Sequence, residues 1–218
     1  MIEKNFREEF LLVAIDLMNS PLVSFGPAKG SVSARDFESQ LVLITPSGIP
    51  FSQLKPEDLI VVDLEGKVIE GILKLSLDAI FHLAVYRARD DVGGVIHTHS
   101  PYATAFACLG EPIQPLNMSI VLMVGGSVDV APFAFPGTRE LGESVVKGLG
   151  NKNAVLMEQH GVLCVSKNLK RTLSVAGVVE NVAQIQSIAS RLGKLRPLGK
   201  AIIKRGIAFE KNYGQAKK

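Results

Sequence analysis

The chain has 218 residues, which is enough for one domain with a full hydrophobic core, and it is 47% hydrophobic but only 6% aromatic. The formal net charge of +3, from 24 basic and 21 acidic residues, is too balanced to indicate a nucleic-acid partner. The N-terminus lacks the apolar core of a signal peptide and no stretch has the length of a membrane span, so the sequence predicts a soluble, cytoplasmic protein without a membrane partner.

The first half of the chain alternates helical patterns with short apolar runs. Apolar residues at helical spacing predict a helix over residues 6–18, and the polar and acidic residues at 76–78 begin a second helix that runs to residue 88. Strands are predicted at residues 31–34, 41–44, 59–64, 68–70 and 92–97. A turn signal at residues 65–67 joins the third and fourth strands as a hairpin.

The second half ends in a long amphipathic helix and a basic tail. Helices are predicted at residues 101–109, 138–149 and 169–192, and strands at 128–132, 154–157 and 161–166. The basic residues after residue 193 predict a solvated helix and tail. Because strands and helices mix without strict βαβ alternation, we expect a single α/β domain of α+β character, with a central, mainly antiparallel sheet flanked by helices on both faces.

The two cysteines, Cys108 and Cys164, lie in separate apolar segments. They form neither a C-x-x-C motif nor a disulfide framework. We therefore expect two buried thiols in a reducing compartment.

Two histidines one residue apart, His97 and His99, end an apolar strand pattern. In an extended strand, side chains two residues apart point to the same face, so these imidazoles are expected to lie side by side. His160 follows another apolar run and precedes Gly161. Three imidazoles with an open position are typical of a catalytic zinc site, whereas the H-x-H motif alone is also compatible with a chance pair at a strand edge.

Four motifs occur in an order that resembles the class II aldolase/adducin family. They are Gly-Gly-Val-Ile-His-Thr-His-Ser at 93–100, Glu-Gln-His-Gly at 158–161, Ile-Thr-Pro-Ser-Gly-Ile-Pro at 44–50 and Gly-Thr-Arg-Glu-Leu at 137–141. The resemblance covers roughly residues 5–215 and implies the fold of that family. It places a catalytic domain at residues 1–195 and a basic tail that completes the site at 196–218.

The resemblance implies a zinc-dependent aldolase, a lyase that cleaves a small ketose phosphate through a metal-stabilised enediolate. An L-ribulose-5-phosphate 4-epimerase-like enzyme is the first alternative. A related decarboxylase or dehydratase, or a non-catalytic adducin-like interaction domain, are further alternatives. The motifs do not choose among them, because the same fold supports different activities.

The resemblance also assigns roles to individual residues. The metal ligands would be His97, His99 and His160, with Zn²⁺ as the ion and Co²⁺ or Mn²⁺ as substitutes. Asp78, four residues before His82, would be an acid/base group; without the resemblance it would be interpreted as an acid favoured by the helix dipole. Tyr213 in the tail would be a second acid/base group, although it would otherwise be interpreted as a packed side chain. His82 is interpreted as a packed helix histidine.

A phosphate pocket is implied in three loops, which contain Gly30, Ser31, Ser47, Gly48 and Ser76. Small turns and helix N-termini of this kind suit a dianion. The sequence departs from the family pattern at Ser31, where asparagine is usual, and at Leu77, where serine is usual. Lys29 and Lys74 are near enough in sequence to compensate. A carboxylate or an unphosphorylated substrate therefore stays open.

Two further features concern assembly. The resemblance implies a homo-oligomer, with a tetramer as the expected form, whose sites are completed at a subunit interface. The apolar segment 118–124 favours an interface because it is difficult to explain in a monomer. Residues 117–126 contain no Tyr, Asp or Glu, so the partner acid/base group that the family carries there has no equivalent.

Overall fold

The computed structural model describes residues 2–23 and 30–212, with side chains through residue 210. The strands of this part are β1 (Gly30–Arg35), β2 (Val42–Ile44), β3 (Ile60–Val62), β4 (Val68–Glu70), β5 (Gly94–Thr98), β6 (Asp129–Ala131), β7 (Ala154–Met157) and β8 (Gly161–Ser166). The α-helices are α1 (Lys4–Met18), α2 (Ala79–Ala88), α3 (Pro101–Leu109), α4 (Met118–Val124), α5 (Arg139–Leu149), α6 (Leu169–Leu192) and α7 (Lys200–Asn212).

The strands form one eight-stranded sheet in the order β4-β3-β2-β1-β5-β8-β7-β6. Every neighbouring pair is antiparallel except β6 and β7, which are parallel. This arrangement confirms the prediction of a mainly antiparallel central sheet. It places β5 at the centre, between β1 and β8.

Helices cover both faces of the sheet, as the sequence predicts. Side chains of α1, α3, α4 and α6 form one core cluster with strand residues such as Ile96. Side chains of α2 and α5 form a second cluster with Val95 and Leu163. Consecutive strand residues such as Val95 and Ile96 point to opposite faces, so one strand contributes to both cores.

Most elements begin and end within a few residues of their predicted bounds. The α2 helix begins at Ala79, and Asp78 occupies its N-cap position without making a side-chain cap bond. The predicted hairpin forms as β3 and β4, which pair antiparallel, although β3 is shorter than expected. Sequence reasoning did not predict α4, which begins after Asn117; the Asn117 side chain accepts a hydrogen bond from the Ile120 amide.

Two expectations are wrong. The apolar segment 118–124 does not require a partner subunit to be buried, because Ile120, Val121 and Val124 are covered within the chain, where α4 packs against α6 and α7. Cys108 is exposed rather than buried, since the buried face of α3 consists of Ala103 and Ala107.

The other thiol, Cys164, is buried as expected. Burial, reinforced by the nearby Glu180 carboxylate, raises its pKa well above the usual range. None of the helices in the described ranges combines the length and hydropathy that a membrane-spanning segment requires.

Candidate metal centre

Three histidines from two neighbouring strand ends meet in one cluster. His97 is the penultimate residue of β5, His99 lies just beyond the end of β5, and His160 lies in the turn between β7 and β8. Because β5 and β8 are antiparallel neighbours, the end of β5 meets the start of β8. The ring centroids lie 4.8 Å apart for His97 and His99, 4.9 Å for His97 and His160, and 5.2 Å for His99 and His160.

The His97 side chain is held in one tautomer. Its Nδ1 lies 3.0 Å from the main-chain carbonyl oxygen of Val162, which can only accept a hydrogen bond, so Nδ1 carries the ring proton. The Nε2 atom therefore has a free lone pair and lies 2.9 Å from His99 Nε2. A histidine whose other ring nitrogen donates to a carbonyl is the usual arrangement for a metal ligand.

The donor set fits a divalent metal ion. One potential ligand atom from each histidine lies within 4.8 Å of the other two. In the described part of the chain, the His160 Nδ1 atom is buried and has no hydrogen-bond partner. A buried polar atom without a partner is costly unless something else satisfies it, and a divalent ion beside this nitrogen would do so. Three imidazoles are a ligand set that zinc accepts.

The electrostatics favour the neutral form of His97 and His160. Burial lowers the pKa of His97 to about 3, assisted by His99 and His160 and opposed by the Asp78 carboxylate. Burial also lowers the pKa of His160. Neutral imidazole is the form that binds metal, so His97 and His160 are in the metal-binding form at neutral pH.

The turn that carries His160 has little room. Gln159, just before it, adopts a left-handed conformation with φ of 54°, which is uncommon for a residue with a side chain. A Cβ atom at Gly161 would lie 2.6 Å from the Thr98 carbonyl oxygen and 3.0 Å from Cδ2 of His99. Glycine at position 161 therefore lets β8 approach the histidines of β5.

A buried carboxylate caps the helix that follows His99 in the chain. The α3 helix begins two residues after His99, and Glu180 of α6 accepts hydrogen bonds from the amides of Tyr102 at 2.8 Å and Ala103 at 2.9 Å. A carboxylate at a helix N-terminus satisfies unpaired amides and interacts favourably with the helix dipole. Sequence reasoning missed Glu180, because its partners lie more than seventy residues away.

Asp78 faces the cluster from the N-terminus of α2. Burial acts to raise the pKa of its carboxyl group, but electrostatic interactions with His97 and His82 and a hydrogen bond from Ser31 outweigh burial and lower the pKa. The carboxylate is therefore ionised at neutral pH. Phe81 packs its ring edge-on against His97 at 5.4 Å and against His160 at 6.5 Å, so α2 supplies both an acid and an apolar wall.

The structure brings the predicted phosphate loops towards the same region. A bridge between Pro46 and Leu75 and a bond from the Ser47 amide to the Lys74 carbonyl oxygen join the loop of Ser47 and Gly48 to the loop before α2, which carries Ser76. Gly30 and Ser31 begin β1 opposite Thr98 and His97. Their role in holding a phosphate stays a prediction.

Other predicted residues stand apart from this set. The Ser31 hydroxyl points inward and contacts His82 Nε2 at 2.9 Å. Leu77 is 63% exposed. Lys29 and Tyr213 lie outside the described residues.

A separate cavity of about 880 Å³ lies between α1 and the start of α6. It is lined in part by Arg35, Gly93 and Lys167. Gly93 precedes β5 whereas His97 lies near its other end, so the cavity lies at the opposite end of the strand from the histidines. The cluster, rather than this cavity, therefore carries the candidate chemistry.

The chain is similar to known proteins along its whole length. The sequence model described as the Class II Aldolase and Adducin N-terminal domain matches residues 24–187. The chain is 33% identical over 215 residues to the 5-deoxy-D-ribulose 1-phosphate aldolase of Bacillus thuringiensis serovar kurstaki, covering 99% of this chain and 100% of that protein. It is 38% identical over 156 residues to the L-fuculose phosphate aldolase of Escherichia coli strain K12, covering 72% of this chain and 71% of that protein. A solved structure of an L-fuculose 1-phosphate aldolase matches with a TM-score of 0.92 and 33% identity, covering 97% of this chain and 98% of that chain.

Proposed function

Because the chain belongs to the class II aldolase and adducin family, we propose that it is a zinc-dependent aldolase that cleaves a small ketose phosphate. The relative that matches 99% of the chain and the one that matches 72% of it are both named as sugar-phosphate aldolases, which supports a substrate of that class. The observation that carries the proposal is the cluster of His97, His99 and His160 with the ionised Asp78 beside it.

The three histidines would hold the ion, and zinc is the proposed metal, with Co²⁺ or Mn²⁺ as substitutes. A bound divalent ion would supply Lewis acidity, which stabilises negative charge on the oxygens of a hydroxy-ketone. The protein supplies the orientation of the ligands. His97 is fixed by the Val162 carbonyl oxygen, and Gly161 and Phe81 define the space around the rings.

Proton transfer is the other requirement of aldol cleavage. A base must take the proton of the hydroxyl group at C4, and an acid must deliver a proton to C3 after the C3–C4 bond breaks. We assign one transfer to Asp78, whose carboxylate is ionised and faces the cluster. We assign the second to Tyr213, which follows the end of α7 at Asn212.

The substrate's phosphate would bind in the loops of Gly30, Ser31, Ser47, Gly48 and Ser76. The Pro46–Leu75 bridge, which joins two of these loops, supports this assignment. Gly48 has a positive φ of 76°, is exposed, and has no atom within 4 Å of the position that a Cβ would take, so its backbone is accessible to a ligand.

We also propose that the enzyme is a cytoplasmic homotetramer in which the tail of one subunit completes the site of another. The family resemblance supports this proposal. The side chains Phe133 and Phe135, which are 53% and 72% exposed, offer apolar surface for an interface.

Light scattering should give four times the chain mass of 23.4 kDa, and a monomer would exclude completion of the site by a neighbouring subunit.

A second candidate is a 4-epimerase, and the acid at position 78 favours it. In the family resemblance the epimerase carries an aspartate at this position, as this chain does. Both activities require charge stabilisation beside a carbonyl group and a proton-transfer group, and the same site provides both.

Product identification separates the two candidates. The zinc-loaded enzyme is incubated with ketose 1-phosphates and ketose 5-phosphates, and the products are identified by mass spectrometry and chromatography. We expect dihydroxyacetone phosphate and an aldehyde from a ketose 1-phosphate. A ketose 5-phosphate converted into its C4 epimer without free aldehyde would instead support the epimerase, and the absence of any cleavage would contradict the aldolase.

A further inference from the structure

A row of hydrogen-bonded polar side chains lies behind Asp78 in the core. The Ser31 hydroxyl lies 2.9 Å from His82 Nε2, and its hydrogen bond to the Asp78 carboxylate helps to lower the pKa of that group. On the other side of the ring, His82 Nδ1 lies 2.6 Å from the Ser33 hydroxyl, which in turn lies 2.9 Å from the Tyr86 hydroxyl. Ser31, Ser33, His82 and Tyr86 are each at most 1% exposed.

The chemistry of the groups fixes the direction of each bond. An ionised carboxylate can only accept, so Ser31 donates its proton to Asp78. Ser31 oxygen then accepts from the His82 ring, which places the ring proton on Nε2. Burial lowers the pKa of His82 to about 4, so the ring carries only that proton, and Nδ1 accepts from Ser33. Ser33 therefore accepts from Tyr86, which closes the row.

We propose that His82 is a positioning residue that fixes the Asp78 carboxylate through the Ser31 hydroxyl. The inference rests on the proposed function, in which Asp78 transfers a proton. Asp78 lies at the N-cap position of α2 without a side-chain cap bond, so the helix itself does not orient its carboxylate. The row supplies that orientation before substrate binds, and preorganised groups of this kind lower the cost of reaching the transition state.

The alternative is a histidine whose hydrogen bonds only satisfy its own burial. Two variants separate the alternatives because the amide of glutamine reaches the position of Nε2, whereas the shorter amide of asparagine reaches only that of Nδ1. His82→Gln keeps a donor to Ser31 and loses the contact with Ser33. His82→Asn keeps the contact with Ser33 and loses the donor to Ser31.

We expect kcat of His82→Asn to be about tenfold lower than that of His82→Gln, with KM values within about twofold of each other. Zinc content and the melting temperature of each variant are measured on the same preparations. Equal kcat values in two folded, zinc-loaded variants would overturn the proposal, because a purely structural role does not distinguish the two nitrogens.

A double-variant cycle tests the connection through Ser31. Ser31→Ala removes the middle of the row, so its kcat should fall as far as that of His82→Asn, and combining the two should cause no further loss. A loss of phosphate contact would appear in KM, which separates that role from positioning. If the two losses of kcat multiply, the residues act independently and the proposal fails.

The tautomer gives a readout that needs neither metal nor substrate. Two-bond ¹H–¹⁵N spectra of the metal-free protein with labelled histidine should show His82 neutral with its proton on Nε2. A proton on Nδ1 would contradict the bond directions assigned to the row. This measurement uses the wild-type protein, so it decides the question even if every variant fails to fold. A wild-type enzyme that cleaves no ketose phosphate would contradict the proposed function. The tautomer of His82 would still show whether the hydrogen bonds of the row run in the assigned directions.

Discussion

At the residue scale, buried neutral histidines determine how the metal-free protein responds to acid. The pKa of His82 is lowered to about 4 and that of His97 to about 3, in both cases mainly by burial. An exposed histidine in the unfolded chain titrates near 6.5. Between these values the unfolded chain binds more protons than the folded protein, so stability falls as the pH falls.

We expect the metal-free protein to lose stability as the pH decreases from about 6.5 to about 4. His82 alone contributes roughly 3 kcal/mol to this loss, because each unit of pKa shift corresponds to about 1.4 kcal/mol. Urea unfolding at a series of pH values measures the slope. The His82→Gln variant should show a smaller slope, and an unchanged slope would show that His82 does not titrate on unfolding.

Gly161 provides a second prediction at this scale. A methyl group there meets the Thr98 carbonyl oxygen and the imidazoles, so Gly161→Ala should weaken zinc binding by at least about tenfold. Gly177→Ala is the matched control, since nothing lies within 4 Å of the added carbon. Isothermal titration with zinc measures both, and wild-type affinity in Gly161→Ala would contradict the tight approach of β8.

The sequence predicted the histidine cluster but not the row of hydrogen-bonded side chains behind Asp78. The H-x-H spacing and the apolar runs before His97 and His160 predicted the cluster, because strand periodicity fixes which side chains share a face. The row behind Asp78 could not be predicted, since Ser31 and Ser33 alternate on β1 just as in any half-polar strand. His82 is buried, as its interpretation as a packed helix histidine implies, but its partners come from a strand about fifty residues away.

At the scale of elements, α3 and α6 are joined by one buried carboxylate. Glu180 accepts hydrogen bonds from two amides at the start of α3, those of Tyr102 and Ala103. Glu180→Ala leaves those amides buried without a partner and should lower the free energy of unfolding by about 1.5–3 kcal/mol. Glu143→Ala is the control because its bond to Arg139 is exposed and should cost less than about 0.5 kcal/mol. Equal losses by chemical denaturation would exclude the capping role.

Element prediction succeeded where periodicity or capping was strong and failed where local signals were weak. The helical patterns at residues 138–149 and 169–192 gave accurate bounds for α5 and α6. The α4 helix was missed because its seven residues are almost uniformly apolar and show no helical period. The parallel pairing of β6 and β7 depends on the route through α5, which no local pattern specifies.

At the scale of the whole molecule, the sheet holds the histidines while the end of the chain carries the remaining predicted acid/base group. The α7 helix packs against α4, where Gly206 leaves room for Val121 and Met118. This contact anchors the helix that leads to Tyr213. The mixed order of elements was sufficient to predict the two-faced sheet, but not the packing of α4 and α7.

Tyr213→Phe tests the catalytic role of the tail without disturbing α7. We expect kcat to fall by about a hundredfold or more, as for the loss of a general acid, with zinc content unchanged. Tyr102→Phe, on α3, is the control for loss of a phenol hydroxyl, since among the described residues the Tyr102 hydroxyl accepts a hydrogen bond from Gln184 at 3.4 Å. Full turnover in Tyr213→Phe would remove the tail from the chemistry.

In the proposed function, sugar-phosphate cleavage depends on a metal ion held by three histidines. The most direct measurement is a titration of the metal-free enzyme with Zn²⁺ while the cleavage of a ketose 1-phosphate is followed. We expect turnover to rise linearly and to reach a plateau at one zinc per chain, and we expect His97→Ala to show neither the rise nor the plateau. Undiminished turnover in the metal-free enzyme, or a normal titration in His97→Ala, would contradict it.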